Sequence, residues 1–258
     1  MKLTVIGCTG SMSGPAAPAS SYLLQARGTD RVHSLVMDLG PGAFGRLMAH
    51  VNPAAVDAVM LSHLHADHMS DMISYHVYRR WNPVGALGPV PVWAPADVVN
   101  RVRGVGGDPS EETYGGEFTP RYLSDRLLFH VGPFTVQAFA VQHPVEAYAF
   151  RISGPSESGG QAVFAYSGDT DTCPGLTEAA RGADILLSEA AFVDGRDTVR
   201  GMHLTGARAG TAAREAGVGR LILTHIQPWT DPEDVRRAAA GAYSGRIDLA
   251  TADAVWEL

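Results

Sequence analysis

A short run of metal-binding residue types, His63 to His68, is the feature that most constrains this chain. Its sequence, His-Leu-His-Ala-Asp-His, places three imidazoles and one carboxylate within six residues. Imidazole nitrogens and carboxylate oxygens are the usual ligands of Zn²⁺ and related metals. The run directly follows Val56 to Leu61, an apolar segment typical of a buried β-strand. We therefore expect a metal-binding turn at a strand end, rather than a polar turn that is rich in histidine by chance.

Three further potential ligands each follow another strand-like segment. They are His143 after Phe134 to Gln142, Asp169 after Ala162 to Gly168, and His225 after Leu221 to Thr224. A single histidine after a strand is more often a surface residue or a satisfied core donor than a ligand, so each signal is weak alone. Together with the earlier run, they predict two metal positions whose ligands come from several strand ends on one rim.

The order of strand-like and helix-like segments predicts one layered α/β domain over residues 1–258, with helices outside paired sheets. Strands come early in hairpins and later alternate with helices, among them Gly206 to Ala216. The last strand is expected near Ile247 to Ala250. The segment Gly104 to Gly116 has no apolar period and is predicted to be a mobile loop of unassigned role.

The composition limits the kinds of partner. Hydrophobic residues make up 45% of the chain and the formal net charge is −7. An acidic balance disfavours a long nucleic acid but not a small phosphorylated substrate, which needs only a local positive site. Two distant cysteines, Cys8 and Cys173, suggest reduced thiols in a cytoplasmic protein. No run of 18 apolar residues is present, so no membrane span is expected. A homodimer is left open.

The ordered ligand set resembles that of the metallo-β-lactamase superfamily, and the resemblance extends over essentially the whole chain. It implies an αββα sandwich with two metal ions at one edge of the sheets. One ion would take His63, His65 and His143, the other Asp67, His68 and His225, with Asp169 bridging them and Asp38 bracing the metal loop. Zn²⁺ is the expected ion, with Mn²⁺ or Fe as alternatives, because nitrogen and oxygen ligands suit all three metals.

Further residues favour the phosphodiesterase branch of that superfamily. Asp169 stands where the best-known lactamases have cysteine. His203 precedes a helix, a strand and His225, an order similar to that of RNase Z and its relatives, where the corresponding histidine assists at the phosphate. Ser188-Glu189-Ala190 is also similar to that branch. RNase Z carries a long arm for transfer RNA, whereas only 25 residues separate His143 from Asp169 here. The chain more closely resembles compact actinobacterial relatives described as atypical class II cyclic-nucleotide phosphodiesterases.

The predicted function is hydrolysis of a small phosphodiester, with a 3′,5′-cyclic nucleotide as the favoured substrate. Two metal ions can share a hydroxide that is available at neutral pH. Asp67 would also orient the nucleophile, and His203 would donate a hydrogen bond or a proton to a phosphate oxygen. Alternatives are an RNase Z-like endonuclease and a hydrolase of a thioester, a lactone or a ribose cyclic phosphate. A non-catalytic binding protein is disfavoured because the ligand set is complete.

Aromatic side chains and the remaining histidines carry less specific expectations. Trp81 and Trp93 are predicted to be core residues. Tyr114, in the expected loop, is a minor candidate for covering a nucleobase. Histidines without a surrounding motif are expected to be structural or solvated, namely His33, His50, His76 and His130.

Overall fold

Two seven-stranded sheets form the centre of the computed structural model, which describes all 258 residues. In spatial order the first sheet contains β14 (Val255–Glu257), β1 (Lys2–Gly7), β2 (Ser21–Arg27), β3 (Val32–Met37), β4 (Ala58–Met60), β5 (Val90–Ala94) and β6 (Phe118–Tyr122). The second contains β13 (Arg246–Leu249), β12 (Arg220–Thr224), β11 (Ile185–Glu189), β10 (Gln161–Tyr166), β9 (Tyr148–Pro155), β8 (Phe134–Ala140) and β7 (Leu128–Val131).

Helices cover the outer face of each sheet. They are α1 (Ala43–Leu47), α2 (Ala66–Met69), α3 (Met72–Arg80), α4 (Val98–Gly106), α5 (Pro174–Ala180), α6 (Gly206–Ala216) and α7 (Pro232–Ala240), with a short 3₁₀ turn at Pro53–Ala55. Helices α1, α3 and α4 pack on the first sheet, and α5, α6 and α7 pack on the second. The predicted αββα arrangement is confirmed. No helix has both the length and the apolar character needed to cross a membrane.

The largest hydrophobic cluster, 25 buried residues, lies between the two sheets. Side chains alternate across a strand, so each central strand contributes to two layers. On β2, Tyr22 and Leu24 face the inter-sheet core, whereas Leu23 packs under the outer helices. Across the core the ring of Tyr22 lies 5.0 Å from that of Tyr166, centroid to centroid. This shared core fixes the edge of one sheet against the edge of the other.

Parallel strands in both sheets end at the edge where the candidate site lies. In the first sheet β3 and β4 are parallel, and Asp38 and His63 follow their ends. In the second sheet β10, β11 and β12 are parallel, and Asp169 and His225 follow β10 and β12. The carboxyl ends of parallel strands share an edge, so the topology gathers these side chains.

Several local expectations are corrected by the structure. The last strand is β14, which pairs with β1, whereas the strand predicted near Ile247 to Ala250 is β13. Helix α4 extends into the expected mobile loop as far as Gly106, and Tyr114 is only 1% exposed, packed in the core beneath the first sheet. Tyr114 is therefore not placed to cover a nucleobase.

Only one of the two tryptophans predicted to be core residues packs as expected. Trp93 stacks on Phe129 with ring centroids 3.8 Å apart, beside the inter-sheet core. Trp81 caps the end of α3 and is 73% exposed, so its prediction was wrong. A tryptophan at the end of a helix can pack on the apolar face of that helix or project into solvent. The pattern of apolar residues along the helix does not distinguish these two positions.

Candidate metal centre

Three imidazoles form the first group of potential metal ligands. His63 Nε2 lies 3.1 Å from His65 Nδ1, and His143 Nε2 lies 3.0 Å from the same atom. Zn–N bonds of about 2.0–2.1 Å place two nitrogens on one ion about 3 Å apart. The first two histidines extend from the end of β4, and His65 caps the start of α2. The separations therefore suit three ligands of a single ion.

A second group combines two carboxylates with two imidazoles. Asp169 Oδ1 lies 3.3 Å from His68 Nε2, and Asp169 Oδ2 lies 3.3 Å from His225 Nε2. Asp67 Oδ2 is 3.4 Å from His68 Nε2. Asp169 Oδ2 also lies 3.7 Å from His63 Nε2 of the first group. The Asp169 carboxylate thus lies within 4 Å of imidazoles from both groups.

Two buried atoms in this centre have no hydrogen-bond partner, His68 Nε2 and Asp169 Oδ1. They face each other, and buried polar atoms without partners are rare in folded proteins. Burial opposes a charged imidazole, but Asp169 and Asp38 outweigh it and raise the pKa of His68 well above its usual value. A proton on His68 Nε2, or a divalent metal ion in its place, would satisfy both atoms. The residues present fit a metal site.

Contacts behind the imidazoles direct nitrogen lone pairs into the centre. His68 Nδ1 donates to Asp38 Oδ2 at 2.7 Å, which leaves Nε2 facing inward. His143 Nδ1 donates to the Met202 carbonyl at 2.8 Å, and His225 Nδ1 lies 2.9 Å from Ser20 Oγ. Partners of this kind fix the tautomer and orientation of metal-binding histidines.

Asp38 lies beneath the loop that carries the first potential ligands. This fully buried carboxylate accepts hydrogen bonds from the Ser62 backbone N–H at 2.7 Å and from the Tyr166 hydroxyl at 2.6 Å. Its backbone has a positive φ of 56°, which turns the chain sharply at the end of β3. Asp38 therefore links both sheets to the loop that carries the first ligands.

Burial sets the protonation of the remaining ligands. It lowers the pKa values of His63, His65, His143 and His225, so these imidazoles are neutral at physiological pH. Burial alone would raise the pKa of Asp169, but the neighbouring His225 and His68 hold it well below its usual range. Neutral imidazoles beside an ionised carboxylate are the protonation states that metal binding requires.

A third group joins His203 to a buried acid, Glu189. His203 Nδ1 lies 3.0 Å from Glu189 Oε1 and 3.8 Å from Asp169 Oδ2. Glu189 also accepts backbone N–H bonds from Thr170 and Ala191. Burial lowers the pKa of His203, but the Glu189 carboxylate outweighs it and raises the pKa to about 9. His203 is therefore a cation at neutral pH beside the metal-ligand groups.

Two buried acids of this region, Glu189 and Asp171, are not among the site residues predicted from the sequence. Glu189 ends the apolar strand β11, and a buried acid closing such a strand was the available signal. Asp171 is 1% exposed and accepts hydrogen bonds from Arg200 Nε and the Gly201 backbone N–H, each at 2.8 Å. Its own N–H donates to the Gln142 carbonyl. Asp171 therefore links two segments that are distant in sequence. One is the segment before His203, and the other is the end of β8, which precedes His143.

All predicted site residues lie at this one edge: His63, His65 and His143 in the first group, Asp67, His68, Asp169 and His225 in the second, and His203 beside the unpredicted Glu189 in the third, with Asp38 beneath them. The other histidines lie outside these groups. His33 contacts Asp30 and Asp57, and His50 contacts Asp253.

The comparisons with known proteins place this centre in a family. A family model described as "Beta-lactamase superfamily domain" matches residues 33–226. The chain belongs to this superfamily. The matched span includes every member of the three ligand groups. The superfamily resemblance inferred from the ligand order is confirmed.

Relatives in the superfamily match over nearly their full lengths. An uncharacterized protein of Mycobacterium leprae is 41% identical over 254 residues, covering 96% of this chain and 85% of the relative. The probable metallo-hydrolase YhfI of Bacillus subtilis is 29% identical over 259 residues, covering all of both chains. Ribonuclease Z of Myxococcus xanthus is 26% identical over 306 residues, covering 97% of this chain and 95% of the relative.

Solved structures support the same fold. The crystal structure of YhfI superposes with a TM-score of 0.85 at 28% identity, covering 100% of this chain and 99% of the other. A diphosphatase of the PhnP family has a TM-score of 0.76 at 20% identity, covering 100% and 97%, and shows the fold alone. The chain is thus a metallo-hydrolase of the beta-lactamase superfamily, a family that implies divalent metal ions.

Proposed function

We propose that this metallo-hydrolase is a dinuclear phosphodiesterase whose substrate is a small phosphodiester, with 3′,5′-cyclic nucleotides as the substrate class. The observation that carries the proposal is the cationic His203, held by Glu189 beside the shared carboxylate Asp169. A fixed cation next to two metal-ligand groups suits a reaction in which negative charge builds up on phosphoryl oxygens.

The roles of the chain's own residues follow from their contacts. Two divalent ions, held by the first two groups with Asp169 shared, would supply a hydroxide nucleophile at neutral pH and offset phosphoryl charge. Asp67 would orient the attacking water from the edge of the second group. His203 uses Nδ1 for Glu189, which leaves Nε2 for a phosphate or leaving oxygen. Protonation by His203 at that oxygen would ease departure of the alkoxide.

A small substrate is supported by the short connection between two ligands. The chain from His143 to Asp169 consists of β9 and β10 joined by a tight turn at Ser156–Gly160. This hairpin lies within the second sheet and provides no projecting arm for a folded RNA. The net charge of −7 is also unlike that of a protein that grips a phosphate backbone.

The decisive test is hydrolysis of 3′,5′-cyclic AMP by Zn²⁺- or Mn²⁺-loaded protein, with His65→Ala as the control. We expect turnover by the wild type and its loss in the variant, because His65 contributes to the first ligand group. Cleavage of bis(p-nitrophenyl) phosphate without cleavage of cyclic AMP would refute the cyclic-nucleotide assignment and keep the phosphodiesterase. Processing of a transfer RNA precursor, or hydrolysis of thioesters or lactones alone, would favour the corresponding alternative.

A further inference from the structure

A cavity of about 380 Å³ lies next to the metal centre. None of the potential metal ligands lines it. Its walls include Cys8, Ala17, Arg46, Ile226, Pro228 and Ala252. The volume falls within the range of about 300–1,000 Å³ that is usual for small-molecule sites. The cavity therefore has the size of a binding site and a position outside the hydrolytic centre.

The lining chemistry favours a mainly apolar molecule. Alanine, proline and isoleucine side chains form much of the wall, threonine side chains and Gln227 add polar groups, and no carboxylate lines it. Burial raises the pKa of the Cys8 thiol to about 11, so this side chain is neutral at physiological pH. Arg46 bonds Asp253 through Nε and Nη2, which leaves Nη1 as a donor. A ligand with an apolar body and a hydrogen-bond acceptor for Arg46 matches these walls.

Two segments form both the cavity wall and part of the metal centre. Thr9 forms a β-bridge with Ile226, and the Gly10 N–H donates to the Ile226 carbonyl at 3.0 Å. A Cβ on Gly10 would stand 2.1 Å from the His225 carbonyl oxygen, so these segments touch directly. The Ser11 N–H in turn reaches His225 Nε2 at 3.2 Å. A displacement of Thr9 or Ile226 would therefore move His225.

We propose that this cavity binds a small, mainly apolar molecule that carries a hydrogen-bond acceptor, and that its occupancy is coupled to the metal centre through Thr9, Gly10 and Ile226. Coupling of this kind is reciprocal, so metal binding must alter the affinity for the ligand by the same factor that the ligand alters the affinity for metal.

The binding test uses 4-fluoroacetophenone, an aromatic ketone whose ¹⁹F signal reports binding. Titration into Zn²⁺-loaded protein should give saturable binding that Ala252→Trp abolishes, because the indole fills the cavity. Ala242→Trp is the matched control, since Ala242 is a partly exposed loop alanine outside the lining. Ala16→Trp, an exposed position that lines the cavity, replaces Ala252→Trp if that variant does not fold. Equal binding in the wild type and the filled variant, or no saturable binding, would overturn the site.

The two free cysteines give a second readout of occupancy. Saturating 4-fluoroacetophenone should slow N-ethylmaleimide labelling of Cys8, whereas Cys173, which lies outside the lining, should react at an unchanged rate. Unchanged labelling of Cys8 would also contradict binding in this cavity. For the coupling, adding Zn²⁺ to metal-free protein should change the Kd of the probe by about fivefold or more. An identical Kd with and without Zn²⁺ would disprove the coupling, and neither result depends on the substrate of the enzyme.

Discussion

At the scale of single residues, the site combines an anion, the Asp169 carboxylate, with a cation, the His203 imidazolium. Asp169 is buried among imidazoles from both ligand groups, which keeps its carboxylate ionised. His203 belongs to neither of those groups and takes its charge from Glu189. In the proposed mechanism, metal binding and proton donation would reside on different side chains and could be changed separately.

Replacing His203 by alanine should lower kcat by about 10²–10⁴-fold, because a positioned general acid contributes about that much. The metal content of the purified variant should stay at the wild-type level, since His203 lies outside the two groups proposed to hold metal. Steady-state kinetics and elemental analysis check both quantities. His130→Ala, an exposed histidine bonded to Thr135, is the matched control and should retain activity. A variant with wild-type kcat would remove His203 from the reaction.

The pH dependence of kcat/KM should report how far the Glu189 carboxylate raises the pKa of His203. The protonated imidazole is the acid and the Glu189 carboxylate raises its pKa, so kcat/KM of the wild type should fall at alkaline pH, where His203 loses its proton. Glu189→Gln removes the charge that raises this pKa, so the alkaline fall should move to lower pH. Rates measured from pH 6 to pH 10.5 test the shift. Glu178→Gln, which removes a surface partner of Arg126, should leave the profile in place. An unmoved profile in Glu189→Gln would contradict the assignment.

At the scale of elements, the loop after β3 holds the metal loop through one carboxylate. Asp38 Oδ2 accepts from His68 Nδ1, and Oδ1 accepts from the Ser62 N–H. Asp38→Asn keeps the shape but removes the charge that orients His68, so metal affinity should fall by about 10–100-fold. Competition with a chromogenic chelator measures the change. Asp125→Asn, at an exposed position, serves as the control, and an unchanged metal affinity in Asp38→Asn would show that this carboxylate does not orient the ligand.

Helices α6 and α7 pack closely because glycines face the contact. A Cβ on Gly210 would lie 2.5 Å from the Ala239 carbonyl oxygen, so Gly210→Ala must push the helices apart. We expect the free energy of unfolding to fall by about 1–3 kcal/mol, as measured by urea titration. Gly45 in α1 has no atom within 4 Å of a built Cβ, and Gly45→Ala should stabilise the protein by up to about 1 kcal/mol. Similar losses in both variants would refute the packing argument.

At the scale of the whole molecule, two sheets meet to build one centre. The first sheet supplies His63 and the adjoining loop, and the second supplies Asp169 and His225. Bound metal therefore links the two sheets, whereas a chain without metal retains buried atoms that lack partners. Metal binding should stabilise the fold as well as permit the reaction.

Metal loading should raise the free energy of unfolding, because ions that bind only the folded chain shift the equilibrium by mass action. Free Zn²⁺ at 100 times its Kd should add about 2.7 kcal/mol for one site. Thermal unfolding with EDTA and with a buffered Zn²⁺ series measures the effect. His68→Ala should weaken the response, whereas His130→Ala should keep it. A Tm that is independent of Zn²⁺ in the wild type would contradict a metal site in the native fold.

The sequence by itself determined which potential ligands the chain has and in which order they follow its strands. Short spacing is enough for this, because the run from His63 to His68 directly follows an apolar strand, so its side chains must lie near the end of that strand. The bounds of β1, β12 and α6 also followed from local periodicity and from Gly217, which ends α6 at a φ of 66°. The superfamily was identified from the ligand order alone.

The tertiary structure alone decided the contacts between distant residues that lie outside the predicted ligand set. Glu189 joins His203, and Asp171 ties Gln142 to Gly201, through contacts between segments that no local pattern relates. The burial of Tyr114 was decided in the same way, by packing under the first sheet. The physical reason is that side-chain periodicity specifies which face of an element is apolar, whereas the pairing of faces depends on how the sheets and helices stack in space.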